Sequence, residues 1–478
     1  MTSLNLSARP CKIEQEFDEK PYLCRCGGFS GYMKTLRISE KLFNKWFAVC
    51  VLYFLVHFAV LVVLDDITFF APDEKTYLLT FQQVYSGNFS LEGVTGWPTD
   101  NVVFLVTTYL PAKLLTLFGL SELQSLRLVS TFAGFFSMFL LYQSTGTLRI
   151  LGIRQRNWLV LGFFIPSTIL WTSLGLRESF IFLWLSMIFH FLMKFTKSRR
   201  LRHITPLLIS IFGLAFTKVY IYVLLIIALI FSTILISLNR RKVNFRYLAV
   251  ISLSLLPILV VPEIARTVSS GFQMIIQKSV RQVSPPSPEI KSPIVRGQTQ
   301  NDFLRDFNNN PIFSLLVGKT HILERVEQSV EQAHLVSSSQ NTIAQEDKLN
   351  RTPASIDNPE EVFTSILKFL FIPMIFIDNG SLFLNLLSYE SIFWFPVYGF
   401  FMAAVWYVFK QRDSWNLCNL TAVCFVFGFM IQSSLVEINV GTALRHRSVL
   451  LIGILILCAH LIERNGRPKP TSAAQKGV

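Results

Sequence analysis

Ionisable residues that could do chemistry occur in this chain in a few compact groups set between long apolar runs. The acids are Asp65-Asp66 and, shortly after them, Asp73-Glu74 within Ala71–Tyr77. The cations are Arg177 beside Glu178, Lys218 just before Tyr220, and Arg445-His446-Arg447 after Asn439 and Gly441-Thr442. Asp378 and Glu390 bracket an interrupted apolar segment, and Trp97 sits in a polar stretch. A carboxylate can take a proton from an attacking hydroxyl, and Arg or Lys can hold phosphate through charge-assisted bonds. Together the two types suit chemistry on an anionic, lipid-linked substrate. Each group also has a plainer account. Acids in a helix's first turn gain about 0.3–1 kcal/mol from the dipole, Lys218 can snorkel from the end of a span, and Arg177-Glu178 can neutralise itself.

The elements that must position these groups follow from composition. Of 478 residues, 51% are hydrophobic, 14% are aromatic and only 15% are charged. A soluble domain carries roughly 25% charged residues, so this chain cannot cover its own surface with polar groups. At about 20 residues per span it has room for on the order of ten helices. The expected fold is all-α, a polytopic transmembrane bundle of about ten spans with interfacial helices and one long outer loop.

The first apolar run, Trp46–Leu64, follows basic residues and ends at Asp65-Asp66, which puts the N-terminus inside and the acids outside. It starts too late for a cleavable signal peptide. The compact basic clusters around Arg149, Lys194, Arg240, Lys410 and Arg464 are then cytoplasmic. Between them Trp158–Leu176, Ile204–Thr217, Tyr247–Val261 and Asn416–Leu435 rise. Phe180–Met193, Tyr220–Leu238, Ile392–Phe409 and Val449–Ile462 descend, and Leu126–Tyr142 descends to the Arg149 cluster. Val102–Leu120, with Pro111 and Lys113, and Val362–Leu387, with Pro373 and Asp378, break the parity. The first reads as re-entrant or interfacial, the alternative being a two-span hairpin over 101–143 that puts the Arg149 cluster outside against the charge rule, and the second lies along the outer face. Such elements are tolerated only against protein or a wet cavity. The formal net charge of +14 records this topology and needs no nucleic-acid partner.

The expected organisation is a cytoplasmic tail over 1–45 and an N-terminal transmembrane module over 46–262 with an outer acidic loop at 65–100. An outer loop with interfacial segments comes next over 263–390, then C-terminal spans over 391–463 and a cytoplasmic tail over 464–478. Within the outer loop, Leu316, Leu323, Val326, Val330 and Ala333 share one face of an amphipathic helix. Gly318-Lys319-Thr320 is no phosphate loop, because Phe313 stands where the motif needs glycine. The cysteines lie in the inner tail or within spans, so no disulfide framework is implied.

Near the acids, Pro72 suits the first helical position and Tyr77, Leu78, Phe81 and Val84 form an apolar stripe, with Gly87 at the stop. This is a short amphipathic helix. An Asp-Glu pair just past the first span, followed by Tyr and a small helix, resembles the GT-C class of membrane glycosyltransferases, the family 39-like ones especially. The resemblance continues through Phe118-Gly119-Leu120-Ser121-Glu122 and Arg127, and through Pro166-Ser167 and Trp171 before Arg177-Glu178, covering roughly residues 60–195. It implies transfer of a sugar from a polyprenyl-phosphate carrier to a glycan, lipid or protein acceptor at the outer face. Asp73 would be the catalytic base and Glu74 its helper. The family's Pro-Pro-Leu box is replaced by Gly96-Trp97-Pro98-Thr99-Asp100-Asn101.

On this reading Arg177, Glu178, Lys218, Arg445 and Arg447 bind or orient the donor phosphate, with support from Asp65, Asp66, Trp97 and Asp378. The sequence calls for no certain cofactor and leaves room for a divalent cation. The partners are a polyprenyl-phosphate sugar donor, the acceptor and the bilayer. The setting is a multi-pass bacterial inner membrane protein with both termini cytoplasmic. Two other readings stay open: a repeat-unit polymerase of the O-antigen or capsule type, leaning on the outer arginines, and a lipid-linked sugar flippase or transporter, which would need matching broken helices in two halves.

Overall fold

A computed structural model describes residues 30–65, 72–85, 102–146, 153–198, 200–241, 244–260, 359–372, 388–412, 415–436 and 440–465. Two compact units are distinguished, Met1–Cys50 and Val51–Val478. The described part of the first is helical from Ser30 onward. The second contains the apolar core around Leu64 and Phe180 and the ion pairs Arg127–Glu74 and Arg445–Glu178.

The described residues form helices joined by turns, without strands. In chain order the helices are α1 (Ser30–Asp65), α2 (Pro72–Tyr85), α3 (Val102–Thr116), α4 (Glu122–Gly146), α5 (Ile153–Val160), α6 (Pro166–Ser173) and α7 (Glu178–Ser198). They continue as α8 (Ile204–Thr217), α9 (Val219–Arg240), α10 (Phe245–Ser254), α11 (Leu256–Val260), α12 (Pro359–Phe371), α13 (Ser391–Lys410), α14 (Leu417–Val436) and α15 (Val440–Asn465).

Seven helical segments among the described residues are long and apolar enough to cross a membrane: Trp46–Leu64, Glu122–Gly146, Glu178–Ser198, Val219–Arg240, Ser391–Lys410, Leu417–Leu435 and Ala443–Ile462. This is an integral membrane protein by the length and apolarity of its helices. One of the other expected spans is shaped by a proline. The expected span Trp158–Leu176 is cut in two, because Ile165 is extended (φ −62°, ψ 131°) ahead of Pro166, which opens α6. A residue before proline is pushed out of the helical region, and proline itself suits a first helical position. The expected span Tyr247–Val261 is the apolar helical segment Phe245–Leu259, shorter than a span needs, with a turn at Leu255 (φ −82°, ψ −12°) between α10 and α11. Ile204–Thr217 and Val102–Thr116 are helical but, at 14 and 15 residues, shorter than a span needs.

The final helix also differs from expectation. It begins at Val440, so Arg445-His446-Arg447 lies inside a helix rather than in an outer turn. Of the Val362–Leu387 stretch, the described part is the end of α12. The amphipathic helix expected around Leu316 lies outside the described residues.

The packing concentrates where the acids and cations meet. Ala443–Ile462 and Leu417–Leu435 are the most enclosed spans, 78% and 72% buried, whereas Ser391–Lys410 is 33% buried and turns most of its surface outward. Helix α4 packs along α7, and α7 against α8. A core of Leu64, Tyr77, Phe81, Leu126, Leu174 and Phe180 joins the end of α1, helix α2, the start of α4 and the α6–α7 turn. Tyr77 and Phe81, four residues apart on one face of α2, are the two apolar anchors that hold this short helix down. Close approach is enforced at Gly134 of α4, where a Cβ would lie 2.5 Å from Tyr53 Oη and 2.9 Å from Thr172 Cβ. Glycine at this position lets α1, α4 and α6 meet.

Candidate functional site

Helix α2 starts at Pro72, so Asp73 and Glu74 both fall in its first turn. Glu74 is buried and accepts from Arg127 twice, at 3.0 Å from Nε and 3.2 Å from Nη2. The backbone N–H of Gly175 adds a third bond to Glu74 at 3.3 Å. Arg127 in turn donates from Nη1 to the Leu64 carbonyl at 2.7 Å, in the last turn of α1. That carbonyl is among those a helix end leaves without an intrahelical partner, where a cation is favoured. One buried ion pair therefore fastens the end of α1, the start of α2, the start of α4 and the α6–α7 turn. Arg127 is delivered by a capping box: Ser121 Oγ accepts from Gln124 N and Gln124 Oε1 accepts from Ser121 N, which starts α4. Gln82 of α2 donates to Glu122 of α4 at 2.6 Å.

The Gly175 contact leads directly to the second group. Gly175 lies against α4, where a Cβ would meet Leu126 Cβ at 3.2 Å. The chain then passes Arg177 and enters α7 at Glu178, whose side chain is buried. Arg445 Nη2 lies 2.5 Å from Glu178 Oε1. Arg445, Arg177 and Lys218 all act electrostatically on this carboxylate. Lys218 is brought there by the break between α8 and α9, where its own backbone is extended (φ −158°, ψ 93°). Its ammonium sits 5.0 Å from the Tyr220 ring centroid, and the Tyr220 hydroxyl meets His446 Nε2 at 2.8 Å. The Arg445 guanidinium lies over the Trp171 ring at 5.8 Å, a cation–π distance. The sequence-derived candidates Arg177, Glu178, Lys218 and Arg445 thus converge on one place, although Lys218 and Arg445 are far from Glu178 along the chain.

Arg447 does not join them. Residues two apart on an α-helix differ by about 200° in direction, so Arg447 leaves α15 on the side opposite Arg445. Its Nη2 donates to the Phe369 and Ile372 carbonyls at 2.8 and 2.5 Å, closing the C-terminal end of α12. Glu390 is similarly committed. Its carboxylate accepts from Ser167 N at 2.9 Å, from Ser167 Oγ at 2.6 Å and from the Trp394 indole. A carboxylate at the N-terminus of α6 is favoured by the unsatisfied N–H groups there. Glu390 therefore fixes one end of the short helix that carries Trp171. Asp65 is the last residue of α1. Asp66, Trp97 and Asp378 lie outside the described residues.

Sequence reasoning placed Arg127 in a motif without giving it a role. The available signal was its charge in an otherwise apolar helix, since a buried cation needs a partner. Among the described residues, no three His, Cys, Asp or Glu side chains come close enough to hold a metal ion. A recess lined by Phe195, Thr196, Asn244, Arg246 and Tyr247 lies at the opposite end of α7 from Glu178, away from these acids and cations. No family model, curated protein or solved structure matches this chain.

Proposed function

We propose that this protein is a membrane glycosyltransferase that moves a sugar from a polyprenyl-phosphate donor to a glycan, lipid or protein acceptor at the outer face of its membrane. The observation that carries the reading is the gathering of Arg177, Lys218 and Arg445 around one buried carboxylate, with the N–H of Gly175 in the preceding turn bonded to the acid-bearing helix α2. Arg and Lys side chains hold phosphate by charge-assisted bonds that strengthen where water is excluded. The donor phosphate binds at these three cations. A base is then needed to take the proton of the acceptor hydroxyl, and Asp73 has that role from the first turn of α2. Glu74 is its positioning residue, since its carboxylate is engaged by Arg127 and Gly175.

In the transfer step the sugar's anomeric carbon–oxygen bond to phosphate breaks as the acceptor oxygen bonds to that carbon. The bond's electrons leave with the polyprenyl phosphate, and the proton goes to Asp73. The full complement of about ten spans, the long outer loop and the inward termini belong to the same proposal. No observation favours the polymerase alternative over this one, because Arg447, one of the arginines it would use, closes α12.

Asp73→Asn is expected to lower transfer of radiolabelled sugar from polyprenyl-phosphate donors in membrane extracts by at least about 10²-fold, the usual contribution of a general base. The protein level should be unchanged. Undiminished transfer by this variant would remove Asp73 from the chemistry.

A further inference from the structure

Among the described residues, two of the polar atoms buried without a hydrogen-bond partner at the cation cluster are complementary. Glu178 is 1% exposed, and its Oε1 is held by Arg445 while its Oε2 accepts nothing. The indole Nε1 of Trp171 is likewise buried and donates to nothing. Both residues meet the same Arg445 guanidinium, one through its ion pair and the other through its ring face. Buried unsatisfied polar groups are few in native proteins, and tryptophan N–H groups usually find a partner when buried. Here an acceptor and a donor are left open on two residues that share the Arg445 guanidinium.

We infer that Glu178 and Trp171 read the sugar of the donor: Glu178 Oε2 accepts a bond from one sugar hydroxyl, and the Trp171 N–H donates to a neighbouring sugar oxygen. The inference rests on the proposed function and deepens it by assigning the sugar-binding half of that site. A phosphate group meets only one of these requirements, since its oxygens can accept from the Trp171 N–H but donate nothing to the Glu178 carboxylate, which repels their charge. A hydroxyl both donates and accepts, so a polyol joined to the phosphate fits a carboxylate oxygen and an indole N–H beside the cations. Because Arg445 lies over one face of the Trp171 ring, the N–H edge of the indole is the part assigned to the sugar. The structure thus divides the labour at Arg445, with phosphate toward Arg177 and Lys218 and sugar toward Trp171 and the free oxygen of Glu178.

The test uses the full chain in lipid nanodiscs, titrated with undecaprenyl phosphate and with undecaprenyl-phosphate-linked hexose, N-acetylhexosamine and pentose. The wild type is expected to bind at least one glycosylated lipid roughly tenfold or more tighter than undecaprenyl phosphate, as hydrogen bonds in a site built for them imply. Trp171→Phe, which removes the N–H while keeping an aromatic ring, and Glu178→Gln should each shrink that preference several-fold. Trp171→Phe should cost undecaprenyl phosphate binding less than it costs binding of the preferred glycosylated lipid. Should Glu178→Gln fail to fold, Trp171→Phe alone decides. A preference that survives in the folded variants overturns the inference, as does a wild type that binds undecaprenyl phosphate but prefers no glycosylated lipid. In both cases the phosphate reading stands. A wild type that binds none of the four lipids overturns the proposed function and this inference with it.

Discussion

Arg127→Met is expected to lower the melting midpoint of the detergent-solubilised protein by about three to five degrees and to reduce its accumulation in membranes. The substitution keeps the volume but leaves the Glu74 carboxylate buried without its guanidinium, next to the Gly175 N–H at 3.3 Å. Removing one partner of a buried ion pair costs about 3–5 kcal/mol, because the remaining charge has lost both water and its counter-ion. The double variant Glu74→Leu with Arg127→Met takes away both charges and should recover most of the loss, since apolar replacements of buried pairs are often neutral. A thermal-shift series on wild type, both single variants and the double variant forms a cycle that isolates the coupling. Equal destabilisation by the Arg127 variant and the double variant would show that the pair is not what holds α1, α2 and α4 together.

The second large effect is expected at Arg445. Arg445→Ala should reduce kcat/KM for sugar transfer by about 10²–10³-fold, the scale seen when one donor to developing charge is removed. The variant deletes a phosphate-binding guanidinium and strands the Glu178 carboxylate, so activity must be normalised to folded protein. Arg445→Lys discriminates the two losses. It keeps a cation beside Glu178 but loses the planar fork that can serve phosphate, carboxylate and the Trp171 face at once. The lysine variant should therefore regain most of the stability and only part of the activity. Full activity in Arg445→Lys would mean that a point charge is sufficient there, and full activity in Arg445→Ala would remove Arg445 from the site.

How much of this was legible in the sequence differs from residue to residue. Helix α2 was readable because its signals are local: Pro72 at the start and Tyr77 and Phe81 on one face. The long apolar spans were readable for the same reason, since a run of apolar residues needs no distant partner to be recognised. The break at Pro166 was also written in the chain, since the residue before a proline is pushed out of the helical region. The ion pairs were not legible. Nothing near Glu178 indicates that Arg445, 267 positions away, will meet it, and nothing near Arg447 points to the carbonyls of Phe369 and Ile372. Polarity alone grouped Arg445 with Arg447. The helical turn that separates them became visible only once α15 was seen to begin at Val440. Arg127 was hidden in a similar way, because the sequence shows a charge in an apolar helix and the structure supplies Glu74 and Leu64 as its partners.

Whether the three cations around Glu178 hold the phosphate of a polyprenyl-linked donor is tested most directly by a cryo-electron microscopy structure of the full chain in nanodiscs loaded with undecaprenyl phosphate. Phosphate density is expected within hydrogen-bond reach of Arg177, Lys218 and Arg445. Phosphate density elsewhere in the protein, with these three side chains gathered on Glu178 and touching no lipid, would contradict the proposed site.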